Sequence, residues 1–219
     1  MLAPLIPYGM RGVIWYQGEA NATRARQYQD LFPALIADWR RAWGGREFPF
    51  LFTQIAPHAG MPPELREAQL LTLDRTRNTA MAVTIDVGHA TDIHPPDKRP
   101  IGERLALAAR ALAYGEKIEH SGPRLISWKI RGRTMELRFS HAAGGLRARD
   151  GPLHGFTLAG PDGIYHPAEA AIHGSTVRLT SSAVLQPKSA RYAWAPVANG
   201  NLYNLAGLPA SPFRTDPAR

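Results

Sequence analysis

The sequence predicts an α/β fold in which a helix-covered parallel sheet is followed by a small antiparallel β module. Apolar runs alternate with helical periodicity in the first half, and short runs separated by glycine turns fill the second half. Hydrophobic residues make up 44% of the 219 residues and charged residues 20%, which is enough for a sizeable core. We expect an α/β domain over residues 1–120 and a β-rich module over residues 121–219.

The first half justifies the parallel sheet element by element. Strands are predicted at residues 12–16, 48–55 and 80–85, and helices over 24–43, 63–77 and 100–114. In the first helix Tyr28, Leu31 and Leu35 recur at spacings of three and four, and Pro33 predicts a kink or a break. Strand–helix alternation implies right-handed crossovers and a parallel sheet, whose ligands bind at the carboxyl ends of the strands.

The second half consists of short apolar runs bounded by turn residues. The runs lie at residues 125–130, 134–139, 155–158, 176–179 and 191–194. Gly-Gly, Asp-Gly and His-Gly pairs separate them, which is typical of antiparallel strands joined by tight turns.

Composition and charge narrow the function classes. The chain has no cysteine, which excludes disulfides and thiolate chemistry, and no apolar run is long enough for a membrane span. Its net charge is +8, and residues 121–219 hold 12 basic and 5 acidic side chains. That half could bind nucleic acid or an anionic glycan. However, only four of the 26 basic residues are lysine, and no basic–aromatic ladder occurs. An arginine-rich solvated surface explains the charge equally well.

Polar residues follow the first predicted strand. Gln17 and Gly18 end the apolar run, and Glu19 and Asn21 come next. An amide beside a glycine at a strand end can aim an N–H donor at a developing oxyanion, and Glu19 could tie the loop down by accepting hydrogen bonds. The alternative is a polar loop whose glycine permits a tight turn.

A second polar loop follows the third predicted strand and contains His89, Asp92 and His94. A histidine on such a loop can act as a general base, with a nearby carboxylate to orient it. Three alternatives remain: an ordinary surface histidine, loop-capping aspartates, and a metal site formed by His89, Asp92 and His94 with help from Asp86. The spacing matches no closed metal site, so we expect neither a metal nor another cofactor.

Together the two loops resemble a known family. Residues 12–21 read G-V-I-W-Y-Q-G-E-A-N, similar to the G-V-I-W-Y-Q-G-E-S-N block of SGNH-type carbohydrate esterases, and specifically of sialate O-acetylesterases. Asp92-Ile93-His94-Pro95, with Lys98, Gly102 and residues 104–106, resembles the histidine block of the same group. Further matches lie at residues 48–51, 65–69, 201–204 and 207–210, so the resemblance covers nearly the whole chain.

The resemblance implies a three-layer α/β/α SGNH-hydrolase-like domain that removes acetyl groups from sugar hydroxyls without a metal. It implies that Gln17 is an oxyanion-hole donor and His94 the general base, with Asp92 as its carboxylate partner. Many SGNH enzymes place the aspartate three residues before the histidine, where this chain has Thr91. Glu19, Asn21, Arg66 and Gln69 are expected to contact the substrate, the last two from the rim.

The departures from the family concern the nucleophile. The family serine precedes the first block, yet no serine occurs here before Ser121, and Ala20 replaces the serine within the block. The sequence therefore resembles the C-terminal part of a longer enzyme, with its sheet truncated at the N-terminus. We expect a second copy or another element to cover the exposed sheet edge.

Two main function hypotheses follow. The chain is a carbohydrate acetylesterase whose nucleophile comes from a partner chain, an upstream segment, or a local residue such as Ser121 or Thr23. Alternatively, it is a catalytically inactive relative that binds a glycan or has a structural role. Nucleic-acid binding through the basic half is the weakest hypothesis.

Overall fold

The structure, a computed structural model, describes residues 2–6 and 8–216 and confirms the predicted fold class. Three strands form a parallel sheet in the order β1–β2–β3: β1 Val13–Trp15, β2 Phe50–Thr53 and β3 Thr79–Ala82. Three helices accompany the sheet: α1 Ala25–Ala42, α2 Pro63–Arg75 and α3 Arg99–Leu112. Short 3₁₀ turns span Ala3–Leu5 and Glu19–Arg24.

The sheet lies between two helical layers because alternate side chains of each strand face opposite sides. On one side Phe50 and Phe52 join a core with Phe32 of α1, and the Phe32 and Phe52 ring centroids are 4.9 Å apart. On the other side Leu51 packs with Leu105 of α3 in a smaller apolar cluster. This gives the three layers that the resemblance implies.

Helix α1 is continuous through Pro33, so of the predicted kink or break, the break is wrong. Proline has no N–H to donate, which leaves the carbonyl of Gln29, four residues earlier, without its helical partner. The guanidinium of Arg75 in α2 donates to this carbonyl and also pairs with Asp30 at 2.7 Å. A side chain from the neighbouring helix therefore replaces the hydrogen bond that Pro33 removes.

The second half forms antiparallel sheets, as predicted. One sheet has the order β4–β5–β10–β9, with β4 Arg124–Arg131, β5 Thr134–Ser140, β10 Thr176–Thr180 and β9 Glu169–His173. Another has the order β13–β11–β7–β8, with β13 Phe213–Arg214, β11 Ser189–Tyr192, β7 Phe156–Ala159 and β8 Tyr165–Pro167. A third pairs β12 Leu202–Asn204 with β6 Leu146–Ala148. The sequence patterns did not predict β6, β8, β9, β12 or β13, which are short.

Buried polar contacts join the α/β layer to the β module, and we call this set of contacts the junction. Arg214 forms an ion pair with Glu67 of α2 at 2.7 Å, and the two side chains are 10% and 13% exposed. The amide of Gln54 donates to the hydroxyl of Ser211 at 2.7 Å. One apolar cluster also contains residues of both halves. The division into separate domains at residue 120 stays a prediction.

Candidate active site

The oxyanion loop, residues 16–21, begins directly after β1. The carboxylate of Glu19 accepts a hydrogen bond from the Gly18 N–H at 2.9 Å, and the Asn21 N–H donates to the Gly18 carbonyl at 2.8 Å. The Tyr28 hydroxyl donates to the Gln17 carbonyl at 3.4 Å. These bonds hold the Gln17 backbone, while its half-buried side chain makes no hydrogen bond within the described residues.

Gly18 is closely packed. A Cβ atom there would lie 3.1 Å from the Ile55 side chain and 3.3 Å from the Gln69 amide nitrogen. The oxyanion loop therefore rests on the end of β2 and on helix α2.

The histidine loop, residues 87–98, follows β3 and is folded by its own side chains. The Nδ1 atom of His89 accepts hydrogen bonds from the N–H groups of Thr91 at 3.3 Å and Asp92 at 3.1 Å. Asp92 Oδ1 accepts the N–H of His94 at 2.8 Å. Asp92 thus caps the backbone of His94, as one of the alternatives supposed, and is not bonded to its imidazole. The imidazole is exposed and makes no hydrogen bond within residues 2–6 and 8–216.

A cation–π contact brings the two loops together. The ammonium of Lys98, at the end of the histidine loop, lies 5.2 Å from the ring centroid of Tyr16, the first residue of the oxyanion loop. Burial, and then the negative charge of Glu19, raises the pKa of Tyr16. The two motifs therefore share the carboxyl edge of the sheet. The sequence contained no signal for this particular pair.

An apolar groove runs beside the open edge of β1, and we call it the edge groove. Its volume is about 660 Å³, and its lining includes Trp15, Gln17, Asn21, Tyr28, Leu31 and Leu35. Gln17 and Asn21 both line this groove. Among the described strands, β1 pairs with β2 alone. Ile14 of β1 is 64% exposed, and Leu31 is 45% exposed.

Arg66 and Gln69 do not lie at a rim, and their predicted position is corrected by the structure. Both are 0% exposed. The Arg66 guanidinium donates to the carbonyls of Ala195 and, at 3.1 Å, Pro196, and burial lowers the pKa of Arg66 to about 10. The Gln69 amide accepts the N–H of Ile55 at 2.7 Å. Helical spacing placed both residues on one face of α2, but that face packs against the protein.

Asp86, considered above as an aid to a metal, has protein partners instead. Both of its carboxylate oxygens accept hydrogen bonds from Arg104, at 2.7 and 2.6 Å, and Tyr203 donates to it at 3.0 Å. Burial by itself would raise the pKa of Asp86, but the Arg104 hydrogen bonds and charge outweigh it and hold the pKa below its ordinary value. Within the described ranges no group of three His, Asp or Glu side chains is placed to hold a metal ion.

The local candidates for a nucleophile are not paired with His94. The Ser121 hydroxyl donates to the carbonyl of Gly122 at 3.1 Å, and Thr23 is an exposed residue of the 3₁₀ turn.

In the portion of the chain that the structure covers, no helix is both long and apolar enough to cross a bilayer.

Known proteins share both the sequence and the fold. Residues 5–111 match the sequence model of the family described as "Carbohydrate esterase, sialic acid-specific acetylesterase". The chain is 39% identical over 147 residues to the sialate O-acetylesterase of Rattus norvegicus and 36% identical over 147 residues to that of Homo sapiens. Each alignment covers 56% of this chain.

A solved structure extends the similarity to the β module. The crystal structure of a novel carbohydrate acetylesterase from Xanthomonas citri superimposes with a TM-score of 0.92 and 43% identity, over 97% of this chain and 52% of that chain. The chain spans about half of that solved chain, and 27% to 28% of the rat and human relatives. By sequence and by fold, this chain is similar to SGNH-type carbohydrate esterases, and to sialate O-acetylesterases in particular.

Proposed function

We propose that the chain forms the histidine and oxyanion-hole part of a carbohydrate O-acetylesterase that works by a serine-esterase mechanism. One observation carries this proposal: Lys98 lies 5.2 Å from the Tyr16 ring, so the histidine loop and the oxyanion loop meet at one edge of the parallel sheet. That edge is where parallel α/β sheets bind ligands. The family match over residues 5–111 covers both loops.

In the proposed reaction a serine hydroxyl attacks the acetyl carbonyl carbon while the imidazole of His94 accepts the hydroxyl proton. The side-chain N–H of Gln17 donates to the carbonyl oxygen as it becomes negatively charged. The intermediate expels the sugar oxygen, which takes the proton from His94. Water then cleaves the acetyl-serine by the same route, and acetate leaves.

Asp92 and Glu19 act in this scheme by holding the loops. Asp92 accepts the backbone N–H of His94 and so fixes the backbone position from which the imidazole extends. Glu19 accepts the Gly18 N–H and so fixes the turn that carries Gln17. Asn21, which shares the edge groove with Gln17, is the proposed contact to the substrate.

A serine nucleophile lies outside residues 1–120 in this proposal, since that segment contains no serine. Ser121 and Thr23 remain local alternatives that would need a rearrangement to reach His94. A serine supplied by another segment, or by a partner chain that docks at the edge groove, would need no such rearrangement.

Acetate release tests the proposal. The purified chain is incubated with an O-acetylated sugar, and acetate is measured for the wild type, His94→Ala, Gln17→Ala and the control His173→Ala. We expect losses of about 100-fold or more for the first two variants. His173 is an exposed histidine of β9, so its variant should match the wild type. Activity that survives His94→Ala would overturn the assignment of the base.

A second candidate function is glycan binding without catalysis. It is favoured by the lack of a serine in residues 1–120 and by the Ser121 hydroxyl, which bonds to the Gly122 carbonyl. No acetate above the buffer level, together with measurable glycan binding, would select this candidate for the chain alone.

We also propose that a second copy of the chain covers the open edge of β1. The edge exposes Ile14 beside Leu31, and unpaired strand edges with apolar neighbours favour association. Sedimentation velocity should show a dimer that Ile14→Lys dissociates, while Ile164→Lys, which changes another exposed isoleucine, leaves it intact. A monomer at all concentrations would contradict this proposal.

A further inference from the structure

A second cavity lies between the α/β layer and the β module, and we call it the inter-layer cavity. Its volume is about 600 Å³, within the range of small-ligand sites. Its lining includes Asp86, Asp97, Arg104, Arg149, His154 and Tyr203. Asp86 precedes the histidine loop and Asp97 lies near its end, so the cavity is built partly from the segment that carries His94.

The floor of the cavity is a closed set of charged groups. Asp86, with a side chain 16% exposed, accepts hydrogen bonds from Arg104 and Tyr203, and Arg149 lies 3.4 Å from the same carboxylate. The Arg149 guanidinium also lies 5.3 Å from the Tyr203 ring centroid. Asp150, which lies 3.3 Å from Arg149, supplies the second negative charge, so the two carboxylates balance the two guanidinium groups.

On the walls of the cavity, one more carboxylate lies close to an arginine side chain. Glu103 pairs with Arg99 at 2.8 Å. Asp97 has no cationic side chain bonded to it within the described residues, although its Oδ1 accepts the Arg99 N–H at 3.2 Å. The lining therefore carries a slight excess of negative charge, although the β module as a whole is basic.

The remaining polar groups suit a ligand that both donates and accepts hydrogen bonds. His154 Nε2 bonds to Asn199 Oδ1 at 3.0 Å, and both residues are exposed and line the cavity. The Asn199 side-chain NH₂ can donate to a ligand, and carboxylate oxygens can accept from one. Polar walls disfavour an apolar ligand, and the negative excess disfavours an anion. A neutral molecule rich in hydroxyl groups fits best.

We infer that the inter-layer cavity binds a neutral sugar unit of the glycan. This inference rests on the proposed function, because it supplies a second contact for the same carbohydrate beside the histidine loop. It narrows the substrate class: the glycan has an uncharged sugar at this position, and a sialic acid carboxylate would be repelled.

Binding of unacetylated oligosaccharides tests the inference separately from catalysis. Isothermal titration calorimetry with cellotetraose, xylotetraose, mannotetraose and galactotetraose should show binding to at least one of the four, tighter than binding to sialyllactose. His154→Ala/Asn199→Ala should weaken this binding about five-fold or more, as expected for lost hydrogen bonds. His173→Ala, which removes a histidine outside the cavity, should leave it unchanged. His94→Ala should also leave it unchanged while it abolishes acetate release.

Charge provides the second arm of the test. Glu103→Gln/Asp150→Asn should improve binding of sialyllactose and change binding of the neutral sugar less than about two-fold. Asparagine tolerates the positive φ of 56° at position 150, so the backbone need not change. The inference is overturned if none of the four neutral sugars binds, if sialyllactose binds more tightly, or if the His154/Asn199 change has no effect.

Discussion

The histidine loop and the junction differ in how far their polar side chains are already bonded. In the histidine loop His94 is exposed, and its imidazole has no hydrogen-bond partner among the described residues. At the junction Arg66, Glu67 and Arg214 are buried or nearly so, and each bonds to the protein. Groups that are free of internal partners can act on a substrate, whereas bonded groups hold the two halves together. Asp86 belongs to both regions, since it precedes the loop and contacts Tyr203.

Removal of Asp86 should have the largest effect on stability. Asp86→Ala leaves the Arg104 guanidinium, with its side chain 9% exposed, without its carboxylate. Loss of one partner from a largely buried pair costs about 3 kcal/mol of unfolding free energy. Urea denaturation measures this loss. Asp74→Ala breaks the exposed Arg124–Asp74 pair and should cost less than about 1 kcal/mol. Equal losses of unfolding free energy in the two variants would show that the largely buried Asp86 pair stabilises the protein no more than an exposed pair does.

Replacement of Arg66 should have the next largest effect. Arg66→Met keeps most of the side-chain bulk but removes the donors to the Ala195 and Pro196 carbonyls. We expect a loss of about 2 kcal/mol, because the hydrogen bonds from the buried guanidinium to both carbonyls are lost. Arg77→Met, an exposed control, should change stability by less than about 0.5 kcal/mol. An Arg66→Met protein as stable as the wild type would mean that the guanidinium does not hold the β module.

Acid should weaken the ion pair of Asp86 with Arg104. The pKa of Asp86 is lowered in the folded protein, so its contribution to stability is present above its ordinary pKa of 3.8 and is lost as the pH falls through the lowered value. The free energy of unfolding should therefore decrease below about pH 4. The decrease should be smaller in Asp86→Asn, measured by denaturation at a series of pH values. An identical pH dependence in both proteins would contradict the role given to Asp86.

Replacement of His94 should have the smallest effect on stability. Its imidazole is exposed and unbonded among the described residues, so His94→Ala should shift the unfolding free energy by less than about 0.5 kcal/mol. The same change should abolish acetate release. A large loss of stability would show that His94 has a structural partner and would remove the contrast with the junction.

Much of the fold could be predicted from local patterns. A continuous apolar run identified β2, because a strand buried on both faces carries few polar residues. Spacings of three and four identified α1, because burial of one helix face imposes a period on the sequence. The short strands β6 and β12 could not be predicted in this way. They pair across more than fifty residues, Leu146 with Asn204, and neither has enough residues to show a period.

In the candidate site too, some residues could be predicted from local sequence and others could not. Gln17 and His94 could be identified because each lies within a contiguous block, whereas the position of Arg66 and Gln69 depends on what covers their helix face. The same helical spacing would have suited a solvent-exposed rim. Arg66 bonds to Ala195 and Pro196, which lie far along the chain and which no pattern near α2 reveals. Gln69, in contrast, bonds to Thr53 and Ile55.

By itself the sequence determined the order of layers, the two motif-bearing loops and the lack of a serine in residues 1–120, since these depend on local periodicity and on residue identity. Tertiary structure alone decided which polar groups are bonded. Arg75 replaces the hydrogen bond lost at Pro33, and Tyr203 reaches Asp86 across 117 residues. Hydrogen bonds and ion pairs form between residues that folding brings close together, and the local sequence does not show which distant residues these are.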